Sequence, residues 1–457
     1  MSIQCSVLLC ALSLLSTAAI GAEHFPANED LTELIRSRVE EERAVGIVLG
    51  VLEADGSTRV VFFGDAGPNA EPLGVKSIFE IGSITKVFTG ILLTDMVARG
   101  EVSLSDPVAK HLPGEVTMPT RGGSEITLLD LSTHHSALPR LPDKMSPADG
   151  ANPYADYTVE QMYEFLSAHE LRRDIGSEYE YSNLATGLLG HVLARVHGGS
   201  YEDLVRERIL KPLKMSRTSI TLDEDMQKWM ANGHDQQGNV VGLWDIPTLA
   251  GAGALRSDVT DMLTFVAANT GPAESRLERS MRDSHAVQKS VNEQMAIAIN
   301  WHVQIVGKEK VFWHNGGTAG FRTFIGFDPD KGVGVVVLTN SAHGADDIGF
   351  HLINQGMPLT EPTVERVEIE VVANVLETYV GEYELAPEFI ITVTMENGAL
   401  HLQATGQPNI PVFAESETKF FYKVVDAQIS FVQDASGEIT SLILHQNGAN
   451  QPATKVK

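Results

Sequence analysis

Strand-patterned segments stand at both ends of roughly the first 340 residues, with helical patterns between them. No other feature restricts the possible folds as much. Val45 to Leu52 and Thr58 to Phe63 flank the turn Glu53-Ala-Asp-Gly-Ser57 and read as a strand pair. Strand character returns at Ile297 to Val306, Val311 to His314, Phe321 to Phe327 and Val333 to Leu338, with the turn Asp328-Pro-Asp-Lys-Gly332 joining the last two. Between these ends, helical patterning runs to about residue 230, with Gly100 as a natural C-cap and Thr127 and Thr158 at helix-starting positions. Strands from both ends fit one antiparallel sheet, closed from both termini and carrying an inserted helical region.

Residues 80–99 contain the pattern with the most chemistry. Ser83 and Lys86 stand three positions apart at the head of a strongly apolar helical stretch, so hydroxyl and amine share one helical face. An apolar setting disfavours the ammonium form of lysine, which equips Lys86 as a base. A helix N-terminus also favours the negative charge that develops near Ser83 as it attacks. On its own the pair reads sooner as an N-capping serine beside a surface lysine. Two further elements accompany it: Tyr181-Ser182-Asn183, ahead of the apolar run Leu184 to Leu193, and His314-Asn-Gly316-Gly317, after the strand-like Lys310 to Trp313.

Penicillin-recognising enzymes combine Ser-x-x-Lys with Ser-Asp-Asn and Lys-Thr-Gly motifs. The three elements here, in this order, resemble the β-lactamase and penicillin-binding-protein superfamily, and the Tyr-x-Asn form resembles class C β-lactamases, DD-peptidases and their esterase relatives. The segments Leu104 to Pro113, Ile126 to Pro139, Gly251 to Ser257 and Gly334 to Asn340 carry the same likeness, which spans about residues 30 to 355. It implies an α+β fold, an antiparallel sheet flanked by helices with an inserted all-helical region, and it carries more of that assignment than the patterning does. It also implies a serine hydrolase that forms an acyl-enzyme on Ser83 and cleaves amide, lactam or ester bonds of a small-molecule or short-peptide substrate. Within that frame Lys86 and Tyr181 are the candidate bases, Tyr181 as a phenolate or as a phenol sharing its proton with Lys86. Asn183 is a side-chain amide for Lys86 or the substrate carbonyl, with a helix N-cap as the alternative. Gly316 and Gly317 let a strand approach the substrate, and the family places the oxyanion hole at the backbone N–H groups of Gly317 and Ser83. A β-bulge is compatible with the same glycines.

The third motif begins with His314 where β-lactamases usually carry lysine; it is expected to contact substrate or Tyr181, with a satisfied structural histidine as the alternative. A histidine titrates near neutrality, so its hold on a substrate carboxylate is expected to weaken as pH rises. The resemblance is labelled best as β-lactamase-like of class C type; a D-Ala-D-Ala carboxypeptidase, a D-aminopeptidase, a small-peptide peptidase and an esterase are the alternatives, and this departure and the C-terminal barrel shift weight towards them without excluding lactam hydrolysis. A ligand sensor that is acylated without turnover is the reading from outside enzymology. His134 and His135 lack a carboxylate or cysteine at ligand spacing, so no metal site and no cofactor are expected.

Residues 1–22 carry no charged side chain and end in Ala19-Ile-Gly-Ala22, which reads as a secretory leader and places the protein in the periplasm or outside the cell. A retained anchor is the alternative, although the apolar run is short for a span. Both cysteines, Cys5 and Cys10, lie in that leader, so no disulfide is expected in the mature chain. Sixty acidic against 34 basic residues, a formal net charge of −26, disfavour nucleic acid and anionic lipid as partners. The hydrolase region is expected over residues 23–356 and a Pro-containing acidic linker over 357–372. Over 373–457, period-two patterning reads as a small β-barrel resembling the lipocalin-like domain of some peptidase relatives, with Tyr379-Val-Gly-Glu-Tyr383 carrying the likeness.

Overall fold

The computed structural model describes residues 23–457 apart from 144, 355, 361–367, 387–388, 397, 406, 408, 424–426, 435 and 447–448. The leader with Cys5 and Cys10, and the central part of the linker, lie outside the described residues. The chain divides near residue 360 into two compact units.

The first unit is α+β. Its main sheet has eight strands, β1 (Gly46–Leu52), β2 (Thr58–Gly64), β3 (Lys289–Ser290), β4 (Met295–Ile297), β5 (His302–Val306), β6 (Glu309–Gly317), β7 (Arg322–Asp328) and β8 (Val333–Thr339), in the order β2-β1-β8-β7-β6-β5-β4-β3. Strand β1 pairs antiparallel with both β2 and β8, so the two ends of the unit meet in the sheet. Period-two alternation accounts for this centre. Ile47, Leu49 and Val51 pack with Val333, Val335 and Val337 in one apolar cluster, while Val48 and Leu52 join Val336 and Leu338 in another. Helices α1 (Asn28–Glu40) and α6 (Asp346–Ile353) supply Leu31, Ile35, Ile348 and Leu352 to the first cluster. Helices α2 (Thr85–Ala98) and α5 (Val259–Thr270) supply Val87, Ile91, Met262 and Val266 to the second.

One expected strand divides in two. Residues 297–306 were expected to be continuous, but the chain reverses at Asn300, in a left-handed conformation at φ 57°, and the Ala298 N–H bonds the Trp301 carbonyl. The reversal brings Met295 opposite Gln304 and seals Trp301 completely from solvent.

The inserted helical region holds α3 (Asn183–His197) and α4 (Ala250–Gly253). Thr127 and Thr158 each cap a helix through a reciprocal capping box, as their positions suggested. Among the described residues no helix is long and apolar enough to cross a membrane.

In the second unit nine strands between Gly381 and Lys455 form one antiparallel sheet. Its terminal strands, Ile410–Pro411 and Phe413–Ala414, are separated by one residue in the chain, so the sheet curls into a nearly closed barrel. Helix α7 (Ala373–Tyr379), which period-two patterning does not reveal, precedes the barrel and delivers Leu376 and Tyr379 to its core. Tyr379 stacks on Phe431, and the Tyr383 hydroxyl donates to the Tyr379 carbonyl. The likeness-bearing segment Tyr379 to Tyr383 is therefore a structural corner.

Candidate active site

Ser83 lies in a 3-10 turn, Gly82–Ile84, that runs directly into α2, so Lys86 falls one turn further along the same face. Lys86 is wholly buried, and its Nζ donates to Ser83 Oγ (3.0 Å), Asn183 Oδ1 (2.9 Å) and the Ala252 carbonyl (2.7 Å). Burial, with a smaller contribution from the Arg140 charge, holds its pKa well below the ordinary lysine value. As an ammonium Nζ can donate to all three; as a neutral amine its two N–H bonds go to Asn183 Oδ1 and the Ala252 carbonyl, which only accept, and its lone pair is left for the Ser83 hydroxyl, the arrangement of a base.

Asn183 opens α3 and is presented by its neighbours. Ser182 caps that helix, its Oγ accepting from Ala185 N (2.9 Å) and donating to the Pro139 carbonyl (2.7 Å). The N-cap is thus Ser182 rather than Asn183, whose side chain is left for Lys86. Asn183 Nδ2 donates to the Tyr154 hydroxyl (3.1 Å), which fixes the amide with its oxygen towards Lys86.

Tyr181 places its ring 4.9 Å from Lys86 Nζ. Burial raises its phenol well above the ordinary tyrosine value, against an opposing hydrogen bond from Ser83. Of the two forms open to Tyr181 on sequence grounds, the environment selects the neutral phenol. Its ring is packed by His134 at 4.7 Å, and by His302 and His314 at 6.1 Å each.

His314 lies beside Tyr181, one of its two expected contacts, but is not placed as a titrating grip. The ring has no exposed surface, and burial, together with the neighbouring His302 and Lys86, pushes its pKa well below the usual histidine value. Nδ1 donates to the Asn315 carbonyl (2.7 Å), and Nε2 has no hydrogen-bond partner. A neutral, enclosed imidazole does not titrate near neutrality, so the pH-dependent carboxylate grip expected of it is corrected. His134 accepts from Ser182 N (3.2 Å) through Nδ1, and His135 pairs with the Thr133 carbonyl (2.6 Å), so both serve the backbone around the site. Among the described residues no group of three potential metal ligands occurs.

The glycine segments meet beside Ser83. Gly82 has φ +50°, and a Cβ there would stand 2.8 Å from Gly317 N. A Cβ on Gly316 would overlap the Ile81 carbonyl oxygen and Thr323 Oγ1. Thr323 Oγ1 donates to that same carbonyl (3.0 Å), tying β7 to the turn before Ser83. The backbone at Gly317 is in this way held against the residues around Ser83.

Sequence reasoning missed Tyr154, His302 and the Ala252 carbonyl. Tyr154 and His302 carry no motif. Ala252 contributes only backbone, although the Gly251 to Ser257 segment around it drew attention. The histidine cluster has a measurable consequence. Burial depresses His302 to about 4, below its unfolded value near 6.5. For a base shifted this way, stability is complete above the unfolded pKa and is lost as pH falls through the folded one. Acidification from pH 6.5 to 4 is expected to cost about 3 kcal/mol through His302 alone. Urea titrations across that range should show a shallower acid loss for His302→Gln than for wild type; equal slopes would exclude His302 as the source.

The sequence profile of the family described as Beta-lactamase matches residues 31–355. The chain belongs to the Beta-lactamase family. A second profile, a domain of unknown function (DUF3471), matches residues 365–455. Among curated relatives, the D-alanyl-D-alanine-carboxypeptidase/endopeptidase AmpH of Escherichia coli (strain K12) is 28% identical over 365 residues, 74% of this chain and 91% of its own. A β-lactamase of Pseudomonas fluorescens is 26% identical over 352 residues, 68% of this chain and 94% of its own. The β-lactamase/D-alanine carboxypeptidase structure from Pseudomonas syringae superposes with a TM-score of 0.64 at 21% identity, covering 73% of this chain and all of that one, a likeness of fold. As a member of the family this chain is a hydrolase of the serine β-lactamase and DD-peptidase superfamily.

Proposed function

We propose that the chain is an exported serine hydrolase that forms a covalent acyl-enzyme on Ser83 and opens the amide, lactam or ester carbonyl of a small molecule or short peptide. The observation that carries this reading is the buried Lys86 amine, held between Ser83 Oγ and Asn183 Oδ1. In the first step Lys86 Nζ takes the Ser83 proton as Oγ bonds to the carbonyl carbon. The oxyanion is met by the backbone N–H groups of Ser83 and Gly317. As the carbon–nitrogen or carbon–oxygen bond breaks, the Tyr181 phenol gives its proton to the leaving group and recovers one from Lys86. Water then attacks the acyl carbon by the reverse relay, returning the proton to Ser83.

Asn183 orients Lys86, and the Gly316–Gly317 segment shapes the oxyanion site. His314 supports the Tyr181 ring without carrying charge. Lactam hydrolysis of the class C type and D-Ala-D-Ala carboxypeptidase action are the two substrate readings. The likeness to AmpH and the absence of a lysine at His314 favour the peptidase. The proposed layout is a leader over 1–22, the hydrolase over 23–356, a linker to 372 and the barrel beyond it, which supplies none of the acyl-transfer groups.

The test is labelling with a fluorophosphonate followed by peptide mapping. The adduct is expected on Ser83 and is expected to be absent from Ser83→Ala. An adduct on another serine, with Ser83→Ala still turning over esters, lactams or D-Ala-D-Ala peptides, would remove Ser83 from the mechanism.

A further inference from the structure

We propose that Arg140 is the cation that meets an anionic group, a carboxylate, on the acyl donor, the part that His314 does not fill; this rests on the reading of Ser83 as nucleophile. Arg140 is fastened to the site by its backbone. Its carbonyl accepts from Asn183 N (3.0 Å) and Leu184 N (3.2 Å), and the preceding Pro139 carbonyl accepts from Ser182 Oγ (2.7 Å). Its guanidinium lies 5.1 Å from the centroid of the Tyr181 ring, the same ring that Lys86 Nζ approaches at 4.9 Å. Arg140 therefore shares one aromatic ring with the candidate base.

The side chain is exposed and, among the described residues, forms no ion pair or hydrogen bond. Arg256 and Arg322, by contrast, are already committed. Arg256 pairs with buried Glu80 at 3.1 Å, and Arg322 Nη1 donates to the Thr318 (2.6 Å) and Phe321 (2.9 Å) carbonyls. The remaining basic groups around Tyr181 are Lys86, His134, His302 and His314, all enclosed and all shifted towards their neutral forms. Arginine remains protonated throughout the working range and offers a planar fork that matches a carboxylate. An anionic substrate would thus be held independently of pH, in contrast to a histidine grip.

Arg140 also depresses the Lys86 amine, so absolute rates in its variants mix two effects, and a ratio within each variant separates them. Protection of Ser83 from fluorophosphonate is measured with 3- and 4-carboxyphenylboronic acids and with their neutral carboxamides. In wild type at least one carboxylate is expected to protect at lower concentration than its carboxamide. Arg140→Gln is expected to shrink that ratio by about 10-fold or more, Arg140→Lys to keep most of it, and Arg140→Glu to invert it. No carboxylate preference in wild type, a ratio constant within about two-fold across the four forms, or loss of labelling in all three variants overturns the assignment. Wild-type labelling at a residue other than Ser83 instead defeats the nucleophile reading, and this proposal with it.

Discussion

Replacing Lys86 with methionine is expected to slow acylation of Ser83 by about 10²- to 10⁴-fold, the range typical of a lost general base. No second group is placed to take the Ser83 proton as directly. Lys86 Nζ is 3.0 Å from Ser83 Oγ, while the nearby phenol of Tyr181 is held in its protonated form by burial. The pH profile carries a sign. As the proposed base Lys86 would act only when neutral, and burial places its pKa well below the ordinary 10.5. Wild-type acylation is therefore expected to be level on the alkaline side and to fall as pH drops through that lowered pKa. A lysine left at its ordinary value would give a rate still climbing tenfold per unit at pH 9. Single-turnover acylation from pH 5 to 10 reads both effects. A rate for Lys86→Met within about three-fold of wild type would assign the proton to another group.

Gly316→Ala is expected to reduce turnover by about 10²- to 10³-fold, comparable to losing an oxyanion donor. The added methyl would overlap the Ile81 carbonyl and Thr323 Oγ1, neither of which is the free end of a flexible chain. Relief requires β6 to move off the 81–83 turn. That movement carries Gly317 N away from Ser83 and breaks the Thr323 to Ile81 hydrogen bond. The overlap should also destabilise the unit by about 1 to 3 kcal/mol. Gly114→Ala, where a Cβ meets nothing within 4 Å, is the control for a bare glycine effect. Turnover and urea midpoints on both variants decide the matter. Unaltered turnover in Gly316→Ala would show that the strand does not position the oxyanion site.

The fold was legible where periodicity was clean. Residues 46–52 and 333–339 alternate between two apolar clusters, and the two-ended strand pattern does close in one sheet. It was less legible where a single residue reverses the chain, as at Asn300, because a left-handed turn inside an apolar run leaves no periodic signature. The short helix over 373–379 escaped notice for a related reason: its apolar residues serve a β-core rather than a helical stripe.

At the site, the sequence alone determined that Ser83 and Lys86 share a helical face, because three-residue spacing is a local property of the helix. It also indicated that Tyr181 and Asn183 stand at the head of the next apolar helix, and that glycines open the facing strand. Protonation was decided by tertiary structure alone. Lys86 is shifted towards its neutral form because burial beside α3 and α4 removes it from water, and Tyr181 keeps its proton because His134, His302 and His314 close around its ring. His314 is neutral for the same reason, whereas Arg140, one residue beyond a matched segment, lies exposed at the surface. Desolvation depends on which residues surround a group, and the surroundings of each of these are assembled from segments far apart in the chain.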